Sequence, residues 1–325
     1  MELRRLGKTN YQVSQIGLGC WQLGGDFGAL GDETATAILS KARALDVNFW
    51  DTADVYGGGL SESRIGAYLP QAEGTLVATK VGRNGDLFPD KYTKAKVRES
   101  LEGSVKRLGV EALDLAQLHC VPTDILQDGE IFEWMDDLQK DGLIKHWGAS
   151  VETIEEAHIC IKHSGVATLQ VIFNIFRQDA IEELFPKAEE ADVGIIVRLP
   201  LASGLLSGKF GKDHKFASQD HRNYNRDGAM FSVGETFSGI PFEKGVELTQ
   251  ELEAMLPQGW PMSHLALRWL LDQPAVSTII AGVSRAEQLA DNVAAGERAP
   301  LPASLSRQLS QFYAEKVRSN VRGAI

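Results

Sequence analysis

The chain has 325 residues, 43% of them hydrophobic and 24% charged, so it can bury a core without disulfides or structural metal. Its formal net charge of −11 repels a phosphate backbone and speaks against a nucleic-acid partner. The three cysteines, Cys20, Cys120 and Cys160, fit no CxxC or Cys/His zinc pattern and read as reduced thiols.

Residues 4–6 and 13–15 flank GKTNYQ and read as an N-terminal hairpin. Eight short runs rich in Val, Ile, Leu and Phe follow, at 16–20, 47–52, 76–80, 113–119, 145–150, 169–174, 194–200 and 278–283. Near-continuous apolar runs of this length are strands covered on both faces. Amphipathic stretches alternate with them. Residues 33–45 follow Asp32 as a candidate N-cap, and 94–108 lie between Thr93 and Gly109. Further helices are expected at 131–139, 154–162 and 181–190, each with a cap residue before it or a glycine after it. Eight strands with intervening helices predict an α/β fold, a (β/α)8 TIM barrel formed by residues 1–325 as one domain. A doubly wound sheet is the alternative, but no GxGxxG follows the first strand. The Gly-, Asp- and Asn-rich stretch 208–241 predicts a long loop after the seventh strand, hanging over the catalytic face. Residues 301–317 predict a C-terminal helix outside the barrel.

No apolar run approaches the roughly 18 residues of a membrane span. MELRRLGKTN lacks the apolar core of a secretory signal, so a cytoplasmic location is expected.

In such barrels the chemistry sits at the C-terminal strand ends. Asp51 ends the second strand, Lys80 the third and His119 the fourth, and Tyr56 lies five positions after Asp51, ahead of three glycines. Adjacent strands are about 4.8 Å apart, so three consecutive ends can surround one point. Each residue taken alone has an ordinary reading: a solvated lysine, a turn aspartate, a core histidine. Together they are the parts of a proton relay to a carbonyl oxygen. The phenol of a free Tyr titrates near 10. A Lys ammonium beside it favours tyrosinate, and Asp51 would hold that ammonium. His119 and Tyr56 would form the pair that stabilises the oxyanion.

The stretch FWDTADVYGGGLSE resembles the strand-two signature of the aldo-keto reductase superfamily, and ATK at 78–80 and LAQLH at 115–119 resemble its next two strand ends. The similarity runs from GLGCWQLGG at 17–25 to GVSRAEQLADN at 282–292. The resemblance implies carbonyl reduction with a nicotinamide cofactor held on a barrel, without a Rossmann domain. It also implies Tyr56 as general acid, Lys80 and Asp51 as its tuners, and His119 as the group that orients the carbonyl.

The same resemblance assigns cofactor contacts. Ser150 in GASV and Gln170 meet the nicotinamide carboxamide, although Val151 stands where the family has Asn. Arg198 stands where many relatives stack an aromatic ring on the nicotinamide, and a planar guanidinium can stack too. An ion pair to a loop carboxylate is its alternative. PLASGLLSGK resembles the loop that wraps the pyrophosphate, with Pro200, Leu201, Gly204 and Lys209 as candidates. For Lys209 a plain surface role stays open. Gly282, Ser284, Arg285, Gln288 and Asn292 match the segment holding the adenine and 2′-phosphate, with Ser284 expected to open a helix. Arg222 in the long loop could close over it. NADP(H) is therefore expected ahead of NAD(H).

Trp21 is the candidate substrate contact, whereas Trp50 and Trp147 read as packing residues. The partner is expected to be a small carbonyl compound, with no nucleic acid or membrane and with a monomer allowed. A cofactor-bound regulatory subunit of a membrane channel is the rival function that the resemblance carries, and the lack of an extra N-terminal docking segment speaks against it. The lack of HxH on the first strand speaks against a metal-assisted barrel hydrolase.

Overall fold

The computed structural model describes residues 1–218 and 220–325. A short antiparallel hairpin, β1 (Leu3–Arg5) and β2 (Gln12–Ser14), comes first. Eight strands follow: β3 (Ile16–Gly19), β4 (Phe49–Asp51), β5 (Leu76–Val81), β6 (Leu113–His119), β7 (Ile144–Ser150), β8 (Val166–Ile172), β9 (Gly194–Arg198) and β10 (Val276–Gly282). All eight run parallel, and β10 bonds to both β9 and β3, which closes a TIM barrel.

Strand alternation sorts the side chains. On β4, Phe49 and Asp51 face inward, while Trp50 faces outward, 6.1 Å from the Tyr68 ring. Inside the barrel, Phe49, Ala78, Leu115, Ile196 and Ile280 form one apolar cluster with Leu6 and Val13 from the hairpin segment. The hairpin therefore plugs the N-terminal end. Gly7 is needed for that fit: its φ is +49°, and a Cβ there would lie 2.2 Å from the Gly194 nitrogen. A larger cluster fills the layer between strands and outer helices, where Phe173 packs on Phe185 and Trp269.

Several boundaries differ from expectation. Asp32 is the first helical residue of Asp32–Ala44 and not its cap; Gly31 takes that place, and Asp32 pairs with Arg64. Residues 181–190 do not form one helix. Ala180–Glu183 and Phe185–Glu190 are separate, because Pro186 has no N–H to continue the ladder. β8 stops at Ile172, and 173–174 belong to a turn closed by the Asn174–Arg177 bridge. β9 stops at Arg198, because Leu199 turns left-handed with φ +53°. Helix Lys94–Leu108 has the expected bounds, capped by Thr93 and ended by Gly109 at φ +66°. The C-terminal helix Ala303–Phe312 continues as a wider turn over Tyr313–Val317, which buries Val317.

Candidate active site

Asp51 is the last residue of β4 and His119 the last of β6; Lys80 is one residue from the end of β5. Inward alternation aims all three at the barrel's C-terminal mouth. Tyr56 reaches the same point from a 3-10 turn, Tyr56–Gly59, in which Gly57, Gly58 and Gly59 have φ of 59°, 61° and 93°. Three left-handed residues in a row are readily held only by glycine, so GGG is what brings Tyr56 back over the mouth.

The four groups are in contact. Lys80 Nζ donates to Asp51 Oδ2 at 2.5 Å, to the Thr52 carbonyl at 2.8 Å and to the Tyr56 hydroxyl at 3.2 Å. Lys80 is 1% exposed and Asp51 2%. The other Asp51 oxygen accepts from Gln117 Nε2 at 3.0 Å and Gln170 Nε2 at 2.8 Å. Its charge is thus met on both sides, as a buried carboxylate requires. The Tyr56 and His119 rings lie 6.0 Å apart, edge to face.

Burial is the largest influence at each group. It lowers Lys80, but Asp51 and Tyr56 more than restore it, so the ammonium keeps its proton more firmly than a free lysine. It raises Tyr56, and although Lys80 pulls the other way, the phenol stays above its ordinary value. The expected drift toward tyrosinate is therefore corrected: desolvation outweighs the ammonium, and the free site holds a protonated phenol. Burial, then Lys80, Arg83 and Arg198, push His119 well below the usual histidine range, so it is neutral. Its Nδ1 is buried without a hydrogen-bond partner.

A second polar network borders the first. Arg198 donates to Glu235 Oε1 at 2.9 Å and to the Val151 carbonyl at 3.0 Å. Arg83 reaches Glu235 Oε2 at 3.0 Å and Glu152 at 2.5 Å. Burial would raise the Glu235 carboxyl, but Arg198 and Arg83 hold it at about 2. Of the two readings of Arg198, the ion pair with a loop carboxylate is present. Cys120, Glu152 and Glu235 lie close enough to hold a cation, but two guanidiniums already occupy that cluster.

A cavity of about 1000 Å³ opens over these groups. Its lining includes Asp51, His119, Ser150, Gln170 and Arg198 from the strands, Tyr56 from its turn, and Trp21 from the loop after β3. Pro200, Leu201, Gly204, Lys209, Gly282, Ser284 and Gln288 line its other end. Lys80 lies beneath this surface. Arg285 is exposed outside the lining, and Asn292 is buried within helix Ala286–Gly296. That helix opens at Ala286 and not at Ser284, whose N–H and hydroxyl instead donate to Gln288 Oε1 at 2.8 and 3.1 Å. Arg222 is held by Asp220 and lies 4.6 Å from the Phe216 ring, beside Gly204.

The cavity suits an elongated, phosphate-bearing ligand. Ser203 and Gly204, at φ +55° and +98°, break the 3-10 segment Ala202–Ser207 and make a concave turn. A Cβ at Gly204 would lie 2.9 Å from the Phe210 ring. At the other end of the cavity, neutral His119 and Ser150 offer polar atoms to a carbonyl or amide.

Several site residues escaped the sequence reading. Gln117 had a signal, since it precedes His119 by two on the same inward face. Arg83, Glu152, Glu235 and His221 had none, because tertiary packing alone gathers their loops.

The Aldo/keto reductase family model matches residues 15–314. An uncharacterized oxidoreductase of Bacillus subtilis, YqkF, is 30% identical over 302 residues, covering 91% of each chain. A probable voltage-gated potassium channel subunit beta of Oryza sativa subsp. japonica is 28% identical over 323 residues, covering 93% of each. Among solved structures, the glycerol dehydrogenase AKR11B4 of Gluconobacter oxydans superposes with a TM-score of 0.80 at 26% identity, covering 100% of this chain and 98% of the other.

Proposed function

Because the chain belongs to the aldo/keto reductase family, we propose that its barrel mouth reduces aldehydes and ketones to alcohols with NADPH, Tyr56 serving as general acid. The observation that carries this reading is the chain Asp51–Lys80–Tyr56, closed by hydrogen bonds of 2.5 and 3.2 Å next to a neutral His119. When bound, a reduced nicotinamide would supply hydride to the carbonyl carbon. Tyr56 gives its phenolic proton to the carbonyl oxygen, and Lys80 stabilises the tyrosinate left behind. Asp51 and the Thr52 carbonyl fix Lys80 so that it cannot turn away. A neutral imidazole at His119 donates to the same oxygen and orients it, where an imidazolium would be costly to bury.

Toward the cofactor, Ser150 and Gln170 would hold the carboxamide in this reading, and Arg198, tied back by Glu235, would help hold the nicotinamide. The turn around Leu201 and Gly204, with Lys209, takes the pyrophosphate. Gln288 uses its carbonyl on Ser284, which leaves its amide donor for the 2′-phosphate side. This favours NADPH over NADH. The match to a glycerol dehydrogenase makes short hydroxylated carbonyls one arm of the substrate panel.

The test follows reduced-nicotinamide absorbance with aryl aldehydes, diketones and hydroxyaldehydes. Tyr56→Phe loses most of kcat while NADPH binding persists, because the phenol acts in the transition state. Full turnover in that variant removes Tyr56 as the acid, and equal kcat/KM with NADH removes the NADPH preference. The match to a channel β subunit supports a second reading as a cofactor-bound regulatory subunit. Background turnover across the panel, with tight NADPH binding and a stable membrane partner, would favour it.

A further inference from the structure

We propose that Asp26, in the loop after β3, is a positioning residue that fixes the Tyr56 turn and the Trp21 wall with one carboxylate oxygen; this rests on the reading of Tyr56 as the acid. Asp26 Oδ2 accepts from the Trp21 indole N–H at 2.9 Å and from the Gly57 backbone N–H at 3.2 Å. Gly57 directly follows Tyr56, and Trp21 stacks on the Tyr56 ring, with centroids 5.6 Å apart and planes 17° from parallel. One oxygen thus grips the phenol from its backbone and from its ring face.

The grip answers a local weakness. The turn that carries Tyr56 is built of Gly57, Gly58 and Gly59, all left-handed, and glycine has the most conformational freedom to lose. Nothing within the turn accepts the Gly57 N–H; Asp26 does. The two loops also press backbone against backbone. A Cβ on Gly24 would lie 2.6 Å from the Gly57 nitrogen, and one on Gly57 would lie 2.2 Å from the Gly24 oxygen. Asp26 therefore sits where the loops after β3 and β4 are joined most tightly. Behind Trp21, the His221 ring at 4.9 Å closes the stack.

The consequence is a kcat effect. Without Asp26 the Gly57 N–H loses its acceptor and the Trp21 indole its anchor, and the hydroxyl is held less closely at the reacting oxygen. Misplacement on the ångström scale costs about ten- to a hundredfold in rate. Asn at this position keeps an oxygen that can accept both bonds, so Asp26→Asn restores most of kcat.

The experiment is a double-mutant cycle of Asp26→Ala with Trp21→Phe, plus Asp26→Asn, on one aldehyde that the wild type turns over. The expected result is a tenfold or greater fall in kcat on Asp26→Ala in both the Trp21 and Phe backgrounds, with Asp26→Asn near wild type. Tryptophan fluorescence gives a readout without turnover: Asp26→Ala shifts emission in the wild-type background and leaves the Trp21→Phe protein unchanged. An unchanged kcat, or a loss that vanishes in the Trp21→Phe background, overturns the role at Tyr56. Asp26→Asn as impaired as Asp26→Ala also overturns it, and remains decisive if the alanine variant fails to fold. Tyr56→Phe run alongside separates the two readings: full turnover there sinks the acid assignment, whereas a dead Tyr56→Phe with an unaffected Asp26→Ala sinks this inference alone.

Discussion

At Tyr56 burial outweighs the neighbouring ammonium, and the same desolvation keeps two histidines neutral. His119 is one. His221 is the other: it is 0% exposed, neither ring nitrogen has a hydrogen-bond partner, and burial brings it down to about 4. An unfolded histidine titrates near 6.5. Between those two values the unfolded chain binds the proton and the folded chain does not, so stability falls as pH drops through this window. His221→Phe removes that term and the unpaired nitrogens while keeping a ring against Trp21 and Phe27. We expect its melting temperature to exceed the wild-type value, with the gap widening from pH 7 to pH 5. A gap that stays constant across that range would mean that His221 does not bear the shift. The meeting of Asp51, Tyr56, Lys80 and His119 at one mouth was readable at this scale, because three of them lie at or next to consecutive strand ends and Tyr56 follows Asp51 by five positions. The protonation of Tyr56 was not, because it depends on how much protein covers it.

Among elements, the stretch 208–241 carries the most tertiary information. The sequence shows a long polar segment after the seventh strand and nothing about where it docks. In the fold, Glu235 from the turn Val233–Glu235 bonds Arg83 after β5 and Arg198 at the end of β9. Glu235 is 5% exposed, so these are desolvated charge pairs. A hydrogen bond to a charged group contributes about 1.5–3 kcal/mol, so losing even one raises the open population of the loop about tenfold or more. Glu235→Ala should therefore speed limited proteolysis within 208–234 by that order and raise the KM for the nicotinamide cofactor. Cleavage at the wild-type rate would show that the loop is held by its aromatic contacts instead. The helix expected at 181–190 splits for a reason present in the sequence: Pro186 lacks the N–H that would continue the ladder.

Across the whole molecule, the hairpin plugs the N-terminal end of the barrel. Leu6 and Val13 are both 0% exposed and cap the inner cluster at the end opposite the site. Leu6→Ala should cost about 2–5 kcal/mol, read from the urea midpoint, with kcat nearly unchanged because the active mouth is at the far end. A smaller loss would mean that the inner cluster collapses around the gap. The sequence by itself determined the eight-stranded barrel, since apolar runs and capped helices are local signals that repeat along the chain. It also placed Asp51, Lys80 and His119 at or next to consecutive strand ends, which are readable from alternation. Only the tertiary structure decided that Arg198 is tied to Glu235, that Gln170 and Gln117 share the Asp51 charge, and that Asp26 grips the Tyr56 turn. Those contacts join segments far apart in sequence, and their energies depend on burial and distance, which no local pattern encodes.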